Sequence, residues 1–349
     1  MKPINEYIKE PNMKTGGCLV TLTGPPGCGK TNTLVQLAIN RFEEGQKVLW
    51  RGTDQAQWAA FEANDVPVKV WIDDNISRLE AWVSEEDTTK NVDVRDRFSE
   101  VERFEDETEV VEKASSDHIN VCMVPGMLGE KHEKYYFRKT WINILEALVK
   151  RKNVAEAYSF FTDEGGDLWP CQQQLRKPFY SLVVEQTPPL LSQLRKQNVF
   201  MYIAAHSTHD LHYFVWKIKG NTIAYMSNAN VQRDIHTSVD QTKVNKLDRG
   251  EMVVPPVSRA SFKLAYEQED LDWVSGGKFR VKSHSDIPNK LEDEDDEEDS
   301  NPNPQTVKTS TKKEIAANLY EDDDLNLSQK DIADKLGISQ GSVSNAVSS

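Results

Sequence analysis

The sequence contains no apolar run approaching the ~18 residues that a membrane-spanning helix needs, so no helical membrane span is expected. Its opening stretch, MKPINEYIKEPNMKTGG, lacks the apolar centre of a signal peptide, and a cytoplasmic chain is expected (host cytoplasm, if a virus encodes it). Cysteine is scarce. Cys18, Cys28, Cys122 and Cys171 are scattered without a C-x-x-C pair, which argues against a disulfide scaffold and against a zinc ribbon. Histidines at ligand spacing are missing too, and His209, His212 and His236 read as ordinary polar residues. No segment repeats, which removes solenoids and propellers.

Basic charge is short overall, with a net −14, but the deficit is local. The run Glu292–Asp299 holds eight acids and no base, and residues 73–117 hold sixteen acids against six bases. These stretches carry −8 and −10, which leaves about +4 for the rest of the chain. A body of that charge can approach an anion such as DNA, which whole-chain acidity would have argued against.

Hydrophobic residues make up 38% of the 349, enough for one large core and a small accessory domain. Strand-like runs at Cys18–Thr23, Lys47–Trp50, Pro67–Ile72, Ile119–Val124, Ala157–Thr162 and Val199–Ala205 alternate with helical patterns. The strongest helices carry Leu34, Leu37, Ala38 and Phe42, then Trp141, Ile144, Leu145 and Leu148; another is expected around Ser181–Gln197. Such alternation predicts an α/β fold with a mainly parallel sheet and flanking helices. Phe214–Ile218 and Thr222–Met226 predict an added hairpin turning at Gly220-Asn221. The acidic stretch 73–117, with Val101, Phe104, Val110 and Val111 at helical spacing, predicts a charged helical insertion. The expected domains are 1–282, an acidic disordered linker at 283–310, and a small helical module at 311–349.

One motif carries strong chemical meaning. Gly24-Pro25-Pro26-Gly27-Cys28-Gly29-Lys30-Thr31 satisfies G-x-x-x-x-G-K-[ST] between a predicted strand and a predicted helix. Glycines let successive N–H groups turn inward around a phosphate, and the helix N-terminus adds its positive end. Lys30 would reach the β- and γ-phosphates of ATP, and the Thr31 hydroxyl would ligate Mg²⁺.

Hydrolysis needs further acids, and the apolar run Ala157–Thr162 ends in Asp163 and Glu164. Adjacent residues at a strand end face opposite ways, so Asp163 is the candidate for the metal and Glu164 for the base that polarises water. The competing reading is a surface turn before Gly165-Gly166. His206, closing the run Val199–Ala205, is the candidate sensor of the γ-phosphate or of the attacking water; a histidine that simply ends a strand is the alternative.

With those elements placed, the chain resembles the FtsK–HerA superfamily of DNA-pumping ATPases, nearest to their small viral packaging, plasmid and zonula-occludens-toxin-like branches. Thr162-Asp163-Glu164-Gly165-Gly166-Asp167-Leu168-Trp169-Pro170 looks like that family's D-E-x-x-x-apolar-aromatic-Pro pattern. Leu194–Val199 resembles its basic pair before the sensor strand, and Leu247-Asp248-Arg249-Gly250-Glu251 its late L-x-x-G-E turn. His206 stands where the family usually has Gln. The resemblance implies a RecA-like P-loop NTPase core, a hexameric ring of identical subunits and double-stranded DNA as partner. It also implies viral capsid or plasmid transfer proteins as further partners. An arginine finger acting on the neighbouring subunit is implied as well, with Arg195 and Arg176 as candidates, Arg233 behind them, and a surface role the alternative for each.

Residues 327–347 resemble a helix-turn-helix, with Gly337 at the turn and Ser339 capping the second helix. Gln340, Ser342, Ser344 and Asn345 would then reach base edges. Five Lys, no Arg and seven acids in residues 305–349 predict weak binding by this module alone, and a protein-docking domain is the alternative. The leading expectation is an ATP-driven DNA translocase or packaging motor. An ATP-dependent DNA-binding regulator or partition-type switch contains the same modules, and a small-molecule kinase fits less well because residues 73–117 are acidic where a basic lid is wanted.

Overall fold

A computed structural model describes residues 2–3, 16–52, 55–83, 88–91, 98, 100–125, 131–171, 179–207, 209–218, 221–231, 239–255, 258–261 and 279–283. The chain divides into two units, Met1–Leu291 and Glu292–Ser349, and all described residues lie in the first. The helix-turn-helix expected at 311–349, with Gln340, Ser342, Ser344 and Asn345, lies outside them. So does the linker expected at 283–310, apart from Ser283.

In chain order the elements are β1 (Lys2–Pro3), β2 (Leu19–Thr23), α1 (Lys30–Glu43), β3 (Lys47–Arg51), α2 (Gln55–Glu62), β4 (Val68–Asp73), β5 (Ile76–Val83), β6 (Thr88–Asn91), β7 (Glu100–Phe104), α3 (Glu107–Lys113) and β8 (Ile119–Met123). They continue as α4 (Lys131–Lys150), β9 (Tyr158–Thr162), α5 (Thr187–Lys196), β10 (Val199–Ala205), α6 (Tyr213–Lys217), β11 (Asn221–Met226), α7 (Gln241–Val244), β12 (Glu251–Val254), β13 (Ser258–Ser261) and β14 (Phe279–Ser283). Eleven of the described strands form one sheet, ordered β1-β13-β12-β11-β2-β10-β9-β3-β8-β4-β7. From β11 to β7 every pairing is parallel; β12 and β13 join antiparallel. This is the expected RecA-like α/β architecture.

A parallel strand buried on both faces is a near-continuous apolar run; β2, β4, β8, β9 and β10 are buried at every position, with Thr21, Lys69, Asn120 and Ser159 among their few polar side chains. Alternate residues feed two cores. Leu49, Phe160, Met201 and Ile203 pack with Trp141, Ile144, Leu145 and Leu148 of α4. Trp50, Phe161, Tyr202 and Ala204 pack with Leu34, Leu37 and Ala38 of α1 and Trp58 and Phe61 of α2. Phe161 stacks on Tyr202 with ring centroids 4.4 Å apart and on Trp50 at 5.6 Å. Each such pair contributes roughly 0.5–1.5 kcal/mol beyond area burial.

Two expectations fail. Residues 73–117 are not a helical insertion: β7 extends the main sheet beside β4, and β5 and β6 form a second sheet with β14. Among the described residues of that stretch, only α3 is helical. Val101 and Phe104 satisfy helical spacing, yet both belong to β7, where Phe104 is buried at the strand end. The predicted hairpin is also absent. Phe214–Ile218 reads as a β-branched run, but the Ile218 N–H donates to Phe214 O, and residues 213–217 make α6. β11 instead lies parallel to β2 and between it and β12.

The helix expected around Ser181–Gln197 begins as a π-helical segment over Ser181–Gln186 and becomes α-helical at Thr187. Pro188 and Pro189 supply no N–H to the preceding turn, which widens it. The Thr187 hydroxyl donates instead to Leu182 O at 3.1 Å. Among the described residues no helix is long and apolar enough to cross a membrane.

Candidate nucleotide site

The carboxyl ends of β2, β10 and β9 lie side by side, β10 filling the place between the other two. In parallel α/β sheets ligands bind beyond these ends. β2 runs directly into the loop 24–29, and the Gly24 N–H donates to Ala205 O at 3.3 Å, tying the loop to the end of β10. Gly29 caps α1 at φ +102°, a conformation that turns the loop into the helix and that a side chain would strain. The Thr33 hydroxyl and N–H both return to Gly29 O, at 2.9 Å each. From the other side the Gly250 N–H donates to Cys28 O at 3.3 Å, so the turn 248–251 braces the loop. Burial pushes the Cys28 thiol above its usual range, against the opposing charges of Lys30 and Arg249.

Lys30 is buried, and its ammonium donates to Gly24 O at 2.7 Å and Pro25 O at 3.0 Å. The loop carbonyls thus hold the Lys30 ammonium at the mouth of α1. Thr31 Oγ1 donates to Asp163 Oδ2 at 2.6 Å, joining the start of α1 to the end of β9. The same Asp163 oxygen accepts from Gln57 Nε2 at 3.1 Å, and Asp163 Oδ1 accepts from the Glu164 N–H at 3.1 Å. Glu164 adopts the left-handed conformation at φ +55°, which swings its side chain out of the strand direction. Its Oε1 lies 3.8 Å from His206 Nε2, both side chains being partly exposed.

Thus Lys30, Thr31, Asp163, Glu164 and His206, spread over 177 positions, come together at one end of the sheet. Arg195 does not join them. It lies in the last turn of α5, where its carbonyl accepts from Gly17 ahead of β2, at the end of the sheet opposite the loop. Its own chain's site is therefore beyond its reach. Arg176 and Arg233 lie outside the described residues. His212 is buried, with neither ring nitrogen hydrogen-bonded. Burial lowers its pKa from the usual 6.5.

Sequence reasoning missed Arg51, Gln57 and Arg138. Arg51, buried at the end of β3, donates to Asp163 O, to Thr162 Oγ1 at 3.4 Å and to Asp167 Oδ2 at 2.6 Å. Arg138 of α4 donates to Asp167 O at 2.7 Å, and burial pulls its pKa down. Two guanidinium groups therefore clasp the segment that presents Asp163 and Glu164. An arginine ending an apolar strand was a readable signal, because a buried guanidinium must be paired.

The donors present suit Mg²⁺. Thr31 and Asp163 offer hard oxygens 2.6 Å apart. Among the described residues no group of three or more His, Cys, Asp or Glu could cage an ion by itself. That is the donor set expected where phosphate oxygens and water complete the shell.

No family model matches the chain, and neither does any curated protein. Solved structures do. The genome packaging NTPase B204 from Sulfolobus turreted icosahedral virus 2, in complex with ATPγS, is 10% identical; the match covers 72% of this chain and 98% of that one, with TM-score 0.39. VirB4 of Thermoanaerobacter pseudethanolicus is 12% identical over 75% and 93%, with TM-score 0.46. The bacterial conjugative coupling protein TrwBΔN70 is 9% identical over 75% and 91%, with TM-score 0.45.

Proposed function

We propose that this chain is an ATP-hydrolysing motor that moves double-stranded DNA as a ring of identical subunits. The observation that carries the hydrolase reading is the bond between Thr31 and Asp163, with Glu164 and His206 beside it. The DNA reading is supported by the resemblance of segments 162–170, 194–199 and 247–251 to the FtsK–HerA motors. Lys30 would exchange its loop carbonyls for phosphate oxygens, which requires little movement of the helix beneath it. Thr31 and Asp163 would hold Mg²⁺, which when bound neutralises phosphate charge. Glu164 accepts a proton from the attacking water, presented by the left-handed backbone that follows β9. His206, with its Nε2 3.8 Å from Glu164 Oε1, is the proposed sensor of the γ-phosphate or of the attacking water.

Arg195, remote from its own site, is the candidate finger for a neighbour's site. Capsid or transfer proteins are the proposed further partners.

The test is hydrolysis with and without duplex DNA, paired with displacement of a streptavidin block from a biotinylated duplex. DNA-stimulated turnover together with displacement supports the motor. Slow hydrolysis indifferent to DNA, with nucleotide-dependent binding to one DNA sequence, would replace it with the regulatory switch.

A further inference from the structure

We infer that Gln57 is the positioning residue for the Asp163 carboxylate and that Trp50 dictates which way its amide faces. The inference rests on the hydrolase reading above. Gln57 is buried in the first turns of α2, with 4% of its surface exposed. Its Oε1 accepts from the Trp50 indole Nε1–H at 3.0 Å, and its Nε2 donates to Asp163 Oδ2 at 3.1 Å. An indole N–H only donates and an ionised carboxylate only accepts. A flipped amide would meet an N–H with its own N–H and a carboxylate with its oxygen, so one orientation satisfies both ends.

Trp50 is itself held in place. Its ring meets the edge of Phe61 at 5.1 Å and stacks on Phe161 at 5.6 Å. The space the relay crosses belongs to Gly52. A Cβ there would lie 2.5 Å from Gln57 Oε1 and 2.8 Å from Trp50 Nε1. The stretch from Trp50 to Gln57 thus supplies an anchor, an opening and an amide.

The consequence is electrostatic. Asp163 Oδ2 receives two donors, Thr31 and Gln57, and Oδ1 receives the Glu164 N–H. Three bonds fix the carboxylate plane before any cation arrives. A packing role would be met equally by leucine or methionine; an orienting role is lost with the amide. Loss of such an outer partner typically weakens metal binding about 10- to 100-fold.

The experiment measures affinity of the full chain for a fluorescent ATPγS analogue in EDTA and in Mg²⁺, the ratio reporting how strongly the cation is coupled to the nucleotide. Gln57→Leu and Gly52→Ala should each lower that ratio about tenfold or more, leave the EDTA affinity unchanged, and raise the Mg²⁺ needed for half-maximal hydrolysis. Trp50→Phe should have a smaller effect that disappears in the Gln57→Leu background, since the relay then has no middle. Should Gln57→Leu misfold, Gly52→Ala and Gln57→Met carry the comparison. A wild-type ratio in any folded Gln57 variant overturns the inference, as does full additivity with Trp50→Phe or a wild-type ratio of one. A wild-type chain that binds no nucleotide overturns the hydrolase reading, and this inference with it.

Discussion

Thr31 Oγ1 and Asp163 Oδ2 are 2.6 Å apart in space and 132 positions apart in sequence. That bond closes the distance from the strand beneath the glycine loop to the carboxylate strand, with β10 between them. Thr31→Val keeps the shape and removes the donor, and should lower Mg²⁺-dependent hydrolysis about 10- to 100-fold. Thr31→Ser should retain most of it. Equal rates for wild type and Thr31→Val would separate this bond from catalysis.

Lys30 and Glu164 should fail differently. Lys30→Ala removes the cation that two loop carbonyls now hold. Charge-assisted bonds contribute about 1.5–3 kcal/mol, so nucleotide affinity should fall roughly 10- to 100-fold. Glu164→Gln should bind nucleotide normally and turn over about 10²- to 10⁴-fold more slowly. Fluorescent nucleotide titration beside a phosphate-release assay distinguishes the two; a Glu164→Gln chain with wild-type turnover removes the proposed base.

Arg51→Met should destabilise the fold by about 2 kcal/mol, since it strands buried acceptors while Asp167 keeps some water. Arg51→Lys should recover little of this, because one ammonium cannot reach both the Asp163 carbonyl and the Asp167 carboxylate as a guanidinium does. Urea midpoints measure both. A midpoint unchanged in Arg51→Met would mean that the segment 162–167 holds its shape unaided.

His212 predicts a pH effect of definite sign. Its folded pKa is depressed below 6.5 by burial, so the unfolded chain binds the extra proton first. Above pH 6.5 both states hold the ring neutral and it adds no pH dependence; below that the unfolded chain takes up the proton first, and stability is lost as pH falls toward the folded value. His212→Phe should flatten the acid side of the stability curve. It should also raise stability at neutral pH, by about 1–3 kcal/mol, since both ring nitrogens are buried without hydrogen bonds. The difference in urea midpoint between variant and wild type, followed across pH, is the measurement.

What the sequence makes legible divides along physical lines. The glycine loop, Asp163, Glu164 and His206 were readable because each ends an apolar strand, and parallel strands bring such ends together. β7 was not readable, since an edge strand with Glu100, Glu102 and Arg103 exposed has one buried side and a helix-like spacing by chance. α6 was not readable either: Phe214, Val215 and Trp216 favour a strand by composition, and local bonds from Val215 N–H to His212 O and from Ile218 N–H to Phe214 O overrule them. Gln57 and Arg51 each donate to a carboxylate more than 100 positions away. No local pattern encodes those partners.

The place of β2 in the sheet has a consequence for biosynthesis. Both of its flanks are covered by late segments, β10 from Val199 and β11 from Asn221. At ~5–20 residues per second of translation, the strand beneath the glycine loop waits on the order of ten seconds with both edges bare. A nascent chain interrupted before Met226 keeps one of them open, an adhesive apolar ribbon of the kind that chaperones cover and proteases find.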